Sequence, residues 1–423
     1  MTVLNRMAVA LAADSAVTFS TFANGHLQRT YASGANKIFQ LSTTAPIGVM
    51  LFNNAALQDV PWELIVKSFR TSLGSDVKNS VQEYADALSE FVRANMDLFP
   101  PAHREKHFKQ LAARSFFYLL KKAQSEKPVL ANAGDASVQQ AAIADFLASE
   151  IATNAAKPLS PTFVDADVAK AKADHAGWLA QEIATYLAGA PQLQHLAAVI
   201  PTQGFAELAI ESLYRFYEVN FNSDYTGIVV AGFGEKDYFP AYSELRYYGF
   251  LLDRLIVEHV ESKAINHDVE AVIEAFAKKS MVDTFLSGFA PEVWSTVNGL
   301  FRVHVNQLVS GLNLAPATAA TVPTLIATAE GEFAKAWSAQ VWETHYAPLN
   351  SVISGLPPNE MAELAETLVM LESLKEKVTQ RTQSVGGPVD VAVITKSEGL
   401  VWIKRKHYFS PELNPRYFVR QSQ

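Results

Sequence analysis

Three blocks of strand-like sequence, separated by two long helical stretches, constrain the fold of this 423-residue chain more than any other feature. Short apolar runs over residues 7–13, 46–52 and 225–234 are typical of strands buried on both faces. Two further apolar runs flank the turn Lys396-Ser397-Glu398-Gly399 and predict a β-hairpin. We therefore predict that residues 1–57, 224–265 and 384–405 fold into one core although they lie far apart in the chain.

The segments between these blocks have helical periodicity. The clearest case is 361–378, where Met361, Leu364, Leu368 and Leu371 fall on one stripe. Strands and helices occur in separate blocks, which favours an α+β fold over a parallel βαβ arrangement. The pattern divides the chain into a mixed core of residues 1–72, 224–265 and 360–423, and two helical insertions, 73–223 and 266–359.

The composition indicates a globular protein that does not bind nucleic acid. Hydrophobic residues make up 49% of the chain, and the net charge is -8, whereas a phosphate-binding surface requires clustered Lys and Arg. The chain has no cysteine, which excludes disulfides and thiolate chemistry and fits a cytoplasmic location. The longest uncharged stretch, 303–329, contains Pro316 and Pro323 and is a poor membrane span, so no membrane association is expected.

Three short passages occur in an order that is specific in combination. The first is a strand ending in Ala12-Ala13-Asp14-Ser15, followed by Lys37-Ile38-Phe39 and by a strand from Ile47-Gly48. The second is the run from Gly227 to Gly234, and the third is Gly386-Gly387-Pro388-Val389. Together they resemble the proteasome β-subunits, which belong to the superfamily of N-terminal-nucleophile (Ntn) hydrolases.

This resemblance implies a four-layer αββα sandwich with large helical insertions, and threonine-type hydrolysis of peptide amide bonds in a homo-oligomer without metal or cofactor. In that family an N-terminal threonine attacks, its own α-amino group is the base, and an aspartate holds a lysine that tunes the base. Asp14 and Lys37 match the aspartate and the lysine, and Thr2 would become N-terminal on removal of Met1. The candidate catalytic residues are therefore Thr2, Asp14 and Lys37, and we expect Asp14 and Lys37 to be in contact.

The position of Thr2 leaves three functions open. Thr2 lies closer to Asp14 in sequence than the family nucleophile lies to its aspartate. If Asn5-Arg6 forms a two-residue hairpin turn, Thr2 lies opposite Val9, about 17 Å short of Asp14. The chain is then a threonine-type hydrolase with a degenerate or shortened site, a catalytically inactive proteasome-like scaffold, or a small-molecule amidase on the same fold.

Two further patterns bear on the chemistry. Asn53-Asn54 stands where the family has a glycine pair that supplies an oxyanion amide, and Asn tolerates left-handed backbone better than most residues. His103 and His107 have the one-turn spacing of metal ligands. However, Glu105 is wrongly placed for a zinc-peptidase motif, so this pattern favours a solvated helix face and no metal site is expected.

Overall fold

The computed structural model describes residues 1–23, 26–215, 225–312, 314–315, 320–379, 386–407 and 409–421. The described strands are β1 (Thr2–Asn5), β2 (Ala8–Ala13), β3 (Ala16–Ala23), β4 (His26–Ser33), β5 (Ile38–Gln40), β6 (Ile47–Asn53), β7 (Ala56–Leu57), β8 (Val60–Pro61), β9 (Thr226–Gly232), β10 (Ala241–Leu251), β11 (Arg254–Ala264), β12 (Ala271–Glu274), β13 (Asp390–Thr395) and β14 (Gly399–Lys404). The described helices are α1 (Trp62–Leu73), α2 (Val81–Ala94), α3 (Pro101–Glu126), α4 (Ala136–Ala156), α5 (Asp165–Gly189), α6 (Gln194–Ala197), α7 (Thr202–Arg215), α8 (Ser280–Ser287), α9 (Pro291–Ser310), α10 (Val322–Val341), α11 (Ala347–Ser354), α12 (Pro358–Thr379) and α13 (Pro415–Gln421).

Two five-stranded antiparallel sheets form the centre of the protein. The first sheet has the strand order β12-β1-β2-β13-β14, and the second has the order β11-β10-β9-β6-β5. Each sheet therefore combines strands from distant parts of the sequence, and the first sheet brings residues 2–13 beside residues 390–404. The fold is α+β with antiparallel sheets, and the predicted sharing of one core by the three strand blocks is confirmed.

Alternation along the strands directs one set of side chains from each sheet into a shared apolar layer. In β2, Val9 and Leu11 join Met50 of β6 and Val229 of β9 in one buried cluster. Gly48 in β6 allows close packing, since a Cβ there would lie 2.8 Å from Ile394 Cδ1 and 2.9 Å from Leu400 Cδ1. The two sheets thus pack face to face through this layer.

Helices cover the other face of each sheet. On the first sheet, the alanines of β2 (Ala8, Ala10 and Ala12) pack with α12, and their small side chains allow the helix to lie close to the strand. On the second sheet, α1 and α2 pack through Trp62 and Tyr84 against a surface that includes Val49 of β6. The first part of the predicted stripe, Met361, Leu364 and Leu368, packs on the sheet, whereas Leu371 is exposed.

The boundary of the first helical insertion differs from the expected residue 73. Helix α2 lies after that boundary but packs on the second sheet. Helices α3 to α7 have a separate buried cluster that includes Phe116, Phe146 and Phe205. This cluster also takes in Tyr248 and Leu251 from the end of the β10–β11 hairpin, so the insertion's core is continuous with the second sheet.

The second expected insertion, 266–359, is not wholly helical, and that expectation is wrong for its first part. Residues 271–274 form β12, which pairs with β1 at the edge of the first sheet. Its three apolar residues, Ala271, Val272 and Ile273, precede a helical run, so periodicity alone did not separate them. Helices α9 and α10 form a projecting arm without fully buried residues, held together by stacked rings such as Phe301 and Phe333, whose centroids are 4.6 Å apart.

Candidate functional site

Asp14 and Lys37 meet at one edge of the two packed sheets. Asp14 directly follows β2 of the first sheet, and Lys37 directly precedes β5 of the second. Lys37 Nζ donates to Asp14 Oδ1 at 2.7 Å, and the exposed fractions of the two side chains are 18% and 13%. Because water is largely excluded, this pair is held more strongly than an exposed ion pair. The predicted contact is confirmed, and the catalytic roles of the two residues stay a prediction.

Backbone amides fix the second carboxylate oxygen of Asp14. Oδ2 accepts hydrogen bonds from the amides of Gly386 at 2.9 Å and Ala16 at 3.1 Å. Gly387 has φ +77°, and a Cβ there would lie 2.6 Å from Ser15 Oγ, so this close approach requires glycine. The Gly386-Gly387 motif therefore lets the third strand block reach Asp14 and orient its carboxylate.

The charges of Asp14 and Lys37 also act on the buried α-amino group of Met1, which sequence reasoning missed. This nitrogen donates to the carbonyl of Ala12 at 3.1 Å and lies 3.6 Å from Met50 Sδ. Burial lowers its pKa from 8.0 to about 5; the charge of Asp14 opposes this shift, and that of Lys37 adds to it. At neutral pH the amine is uncharged, so its lone pair can accept a proton, which is the property that a general base requires.

Thr2 does not join the cluster, and the expected hairpin register is wrong. Thr2 lies opposite Leu11 rather than Val9, which places it about 10 Å from Asp14 along the strand. The Asn5 side chain sets this register, because its Oδ1 accepts from the amides of Met7 at 2.9 Å and Ala8 at 3.3 Å. The turn residues are thus Arg6-Met7.

The side chain of Thr2 is also buried. The residue has no exposed surface, and among the residues that the structure describes, its Oγ1 has no hydrogen-bond partner. It shares the inward-facing side of β1 with Leu4, which lies in the layer between the sheets. Thr2 Oγ1 therefore makes no contact with the Lys37 ammonium that could activate it.

Asn53 and Asn54 are both hydrogen-bonded to the carbonyl of Tyr225, just before β9 of the second sheet. Asn53 has the expected left-handed backbone, with φ 65°. Its Nδ2 donates to the carbonyl of Tyr225 at 2.8 Å, and the amide of Asn54 points to the same carbonyl at 3.4 Å. The Asn54 amide is thus directed at the protein's own backbone and does not serve as an oxyanion donor in this arrangement.

The lowered pKa of the Met1 amine predicts that the stability of the folded protein depends on pH. Between pH 5 and 8 the unfolded chain holds a proton on this amine and the folded chain does not, so stability should rise with pH over this window. A pKa difference of three units corresponds to at most about 4 kcal/mol. With ¹⁵N placed selectively at Met1, the nitrogen resonance should titrate near pH 5. A midpoint near pH 8 would contradict burial of the amine.

Comparisons with known proteins give no significant match, so the site is interpreted from its geometry. Among the described helices, none has the length and apolar character needed to cross a membrane. No protein-family model matches the sequence, and no curated protein or solved structure is significantly similar to it.

Proposed function

We propose that this chain is a proteasome-like Ntn hydrolase that cleaves peptide amide bonds when a hydroxyl-bearing residue is N-terminal beside Asp14 and Lys37. The observation that carries this proposal is the buried α-amino group with a pKa near 5, whose proton affinity is affected by the charge of a lysine that an aspartate holds. The proposed fold class is the αββα sandwich. Its support is the apolar layer between two antiparallel sheets and the helices on both outer faces.

Each group has a distinct role in the proposed reaction. The N-terminal hydroxyl attacks the substrate carbonyl carbon while the neutral α-amine takes its proton. That proton passes to the leaving amine as the C–N bond breaks, and water then hydrolyses the ester that remains. The ammonium of Lys37 keeps the proton affinity of the amine low, and Asp14 fixes Lys37 through the 2.7 Å ion pair.

The strand register indicates where the hydroxyl must sit. Met1 lies opposite Ala12, and its side chain packs on the outer cluster beneath α12. A residue directly before Met1 would lie opposite Ala13, and strand alternation would turn its side chain to the inward face of the sheet. One added residue therefore reaches the edge that holds Asp14 and Lys37.

A catalytically inactive scaffold is the second candidate. It is favoured by a specific observation: with Met1 in place, the amine carries no adjacent hydroxyl, and Thr2 Oγ1 is buried within the sheet. On this alternative, Asp14, Lys37 and the amine only stabilise the strand ends, and the chain assembles with further copies, as the proteasome resemblance implies.

Covalent labelling tests the proposal against the scaffold. Two forms of the chain, beginning with Met1 or with a threonine directly before Met1, are prepared by cleaving an N-terminal fusion partner. Each is incubated with a peptide β-lactone, which acylates activated hydroxyls, and its intact mass is measured. We expect one adduct, located on the added threonine, and none on the chain that begins with Met1. Absence of an adduct from both forms would contradict the proposal and favour the scaffold.

The same assay checks Thr2. A third form lacking Met1 has Thr2 as its first residue, still opposite Leu11 and distant from Asp14. We expect no adduct on this form. An adduct that is lost on Thr2→Ala would instead make Thr2 the nucleophile and overturn the proposed position.

A further inference from the structure

A second cluster of chemically active side chains lies between the sandwich and the first helical insertion. His103 and His107 occupy one face of α3, and Asp59 lies in the turn between β7 and β8. Asp59 Oδ2 is 3.6 Å from His103 Nε2 and 3.4 Å from His107 Nε2. The two histidines are only 29% and 21% exposed, so the expected solvated helix face is wrong for them.

The spacing of the three side chains matches a tetrahedral metal site. Nitrogen and carboxylate ligands lie about 2.0–2.2 Å from zinc, so two ligand atoms of a tetrahedral site are about 3.3–3.5 Å apart. Both distances from Asp59 are close to this range, and the three ligand atoms lie within 4.8 Å of one another. The imidazole rings meet edge to face at 73° rather than stacking, so their nitrogens converge on the carboxylate.

The hydrogen bonding of the histidines leaves a nitrogen available. His107 Nε2 is buried, and its contact with the Asp59 carboxylate is long at 3.4 Å compared with about 2.9 Å for a normal N–H···O hydrogen bond. His103 Nε2 lies 2.8 Å from the carbonyl of Gln58, so a metal would displace the proton that His103 shares with this carbonyl.

The turn that carries Asp59 is held in an unusual conformation. Gln58 and Asp59 have φ values of 45° and 66°, which non-glycine residues rarely adopt. The Gln58 side chain holds the turn by donating to the carbonyl of Phe250 at 2.7 Å. The carboxylate is thus directed at α3 by a turn fixed to the second sheet.

We propose that Asp59, His103 and His107 bind a divalent transition metal of the zinc type, which joins the helical insertion to the sandwich. Two imidazoles select against Ca²⁺ and Mg²⁺, which prefer oxygen ligands. One carboxylate and two neutral imidazoles leave the remaining coordination position to water. The ligands come from β-turn and helix segments 44 residues apart in the chain, so the bound metal cross-links the two parts.

Metal titration of the intact chain tests this site. Zn²⁺ binding is measured by isothermal titration calorimetry, and Co²⁺ binding by the visible absorption of tetrahedral cobalt. We expect one equivalent of either metal to bind and Mg²⁺ not to bind. His103→Gln, His107→Gln and Asp59→Asn should each weaken binding at least about 100-fold, since even outer-shell changes cost 10–100-fold.

The matched control is His304→Gln, which removes an exposed histidine from α9 in the arm and should leave metal affinity unchanged. Zn²⁺ should also raise the thermal unfolding midpoint of the control but not that of His107→Gln. The proposal is overturned if the intact chain binds neither metal, or if the three cluster variants bind as tightly as the control. Circular dichroism of each variant establishes that it is folded before binding is compared.

Discussion

A chain with one threonine added directly before Met1 should hydrolyse peptide amide bonds at least about 100-fold faster than the chain that begins with Met1. The reason is geometric. The added residue would lie opposite Ala13, so its hydroxyl and its own α-amine would both reach the edge that holds Asp14 and Lys37. Initial rates with a pool of fluorogenic peptides of varied sequence measure the effect.

Two variants of this extended chain separate catalysis from structure. Valine in place of the added threonine has nearly the same shape but no hydroxyl, so activity should be lost with the fold unchanged. Lys37→Met keeps the alkyl stem but removes the charge that tunes the amine, and should lower the rate by about 10²–10⁴. Full activity in either variant would show that the hydrolysis arises elsewhere or from a contaminant.

Gly232→Ala should be among the most destabilising single substitutions in the protein. Gly232 ends β9 between β6 and β10 in the middle of the second sheet. Its φ is +142°, and a Cβ would lie 2.0 Å from the backbone oxygen of Pro46. A backbone oxygen cannot rotate away, so the clash and the strained φ should together cost about 3–5 kcal/mol. The shift of the urea unfolding midpoint measures this loss.

Gly177→Ala is the matched control for the same chemical change. Gly177 lies inside α5, and no heavy atom lies within 4 Å of the Cβ position. Alanine favours the helix, so this variant should gain about 0.5–1 kcal/mol. If the two variants shift the midpoint equally, the close approach of Pro46 to Gly232 does not determine the stability of the sheet.

The sequence predicted the central strands of the two sheets better than it predicted the strands at their edges. β2, β6 and β9 are short apolar runs buried on both faces, and such runs have few alternatives to a strand. β12 was missed because a four-residue segment beside a helical run has no periodicity of its own, and pairing with β1 alone makes it a strand. Tertiary pairing between residues some 270 positions apart is not visible in local pattern.

The candidate site was predictable in part for the same reason. Asp14 and Lys37 were found from a motif, and they meet. The predicted pairing of Thr2 was wrong because the Asn5 side chain moves the turn by one residue. This shift changes every residue pair in the hairpin. The contact of Asp59 with the two histidines depends on a turn with left-handed backbone. The sequence around Gln58 and Asp59 does not predict this turn.

The strand order of the first sheet also determines when the protein can finish folding during synthesis. The β1–β2 hairpin leaves the ribosome well before its neighbours β12 and β13, which begin at residues 271 and 390. Helices α3 to α7 have a largely separate core. They can fold while the apolar strands of the hairpin are still unpaired. The β1–β2 hairpin is thus made well before the strands that complete its sheet, so its apolar side chains are exposed for longer than those of the first helical insertion.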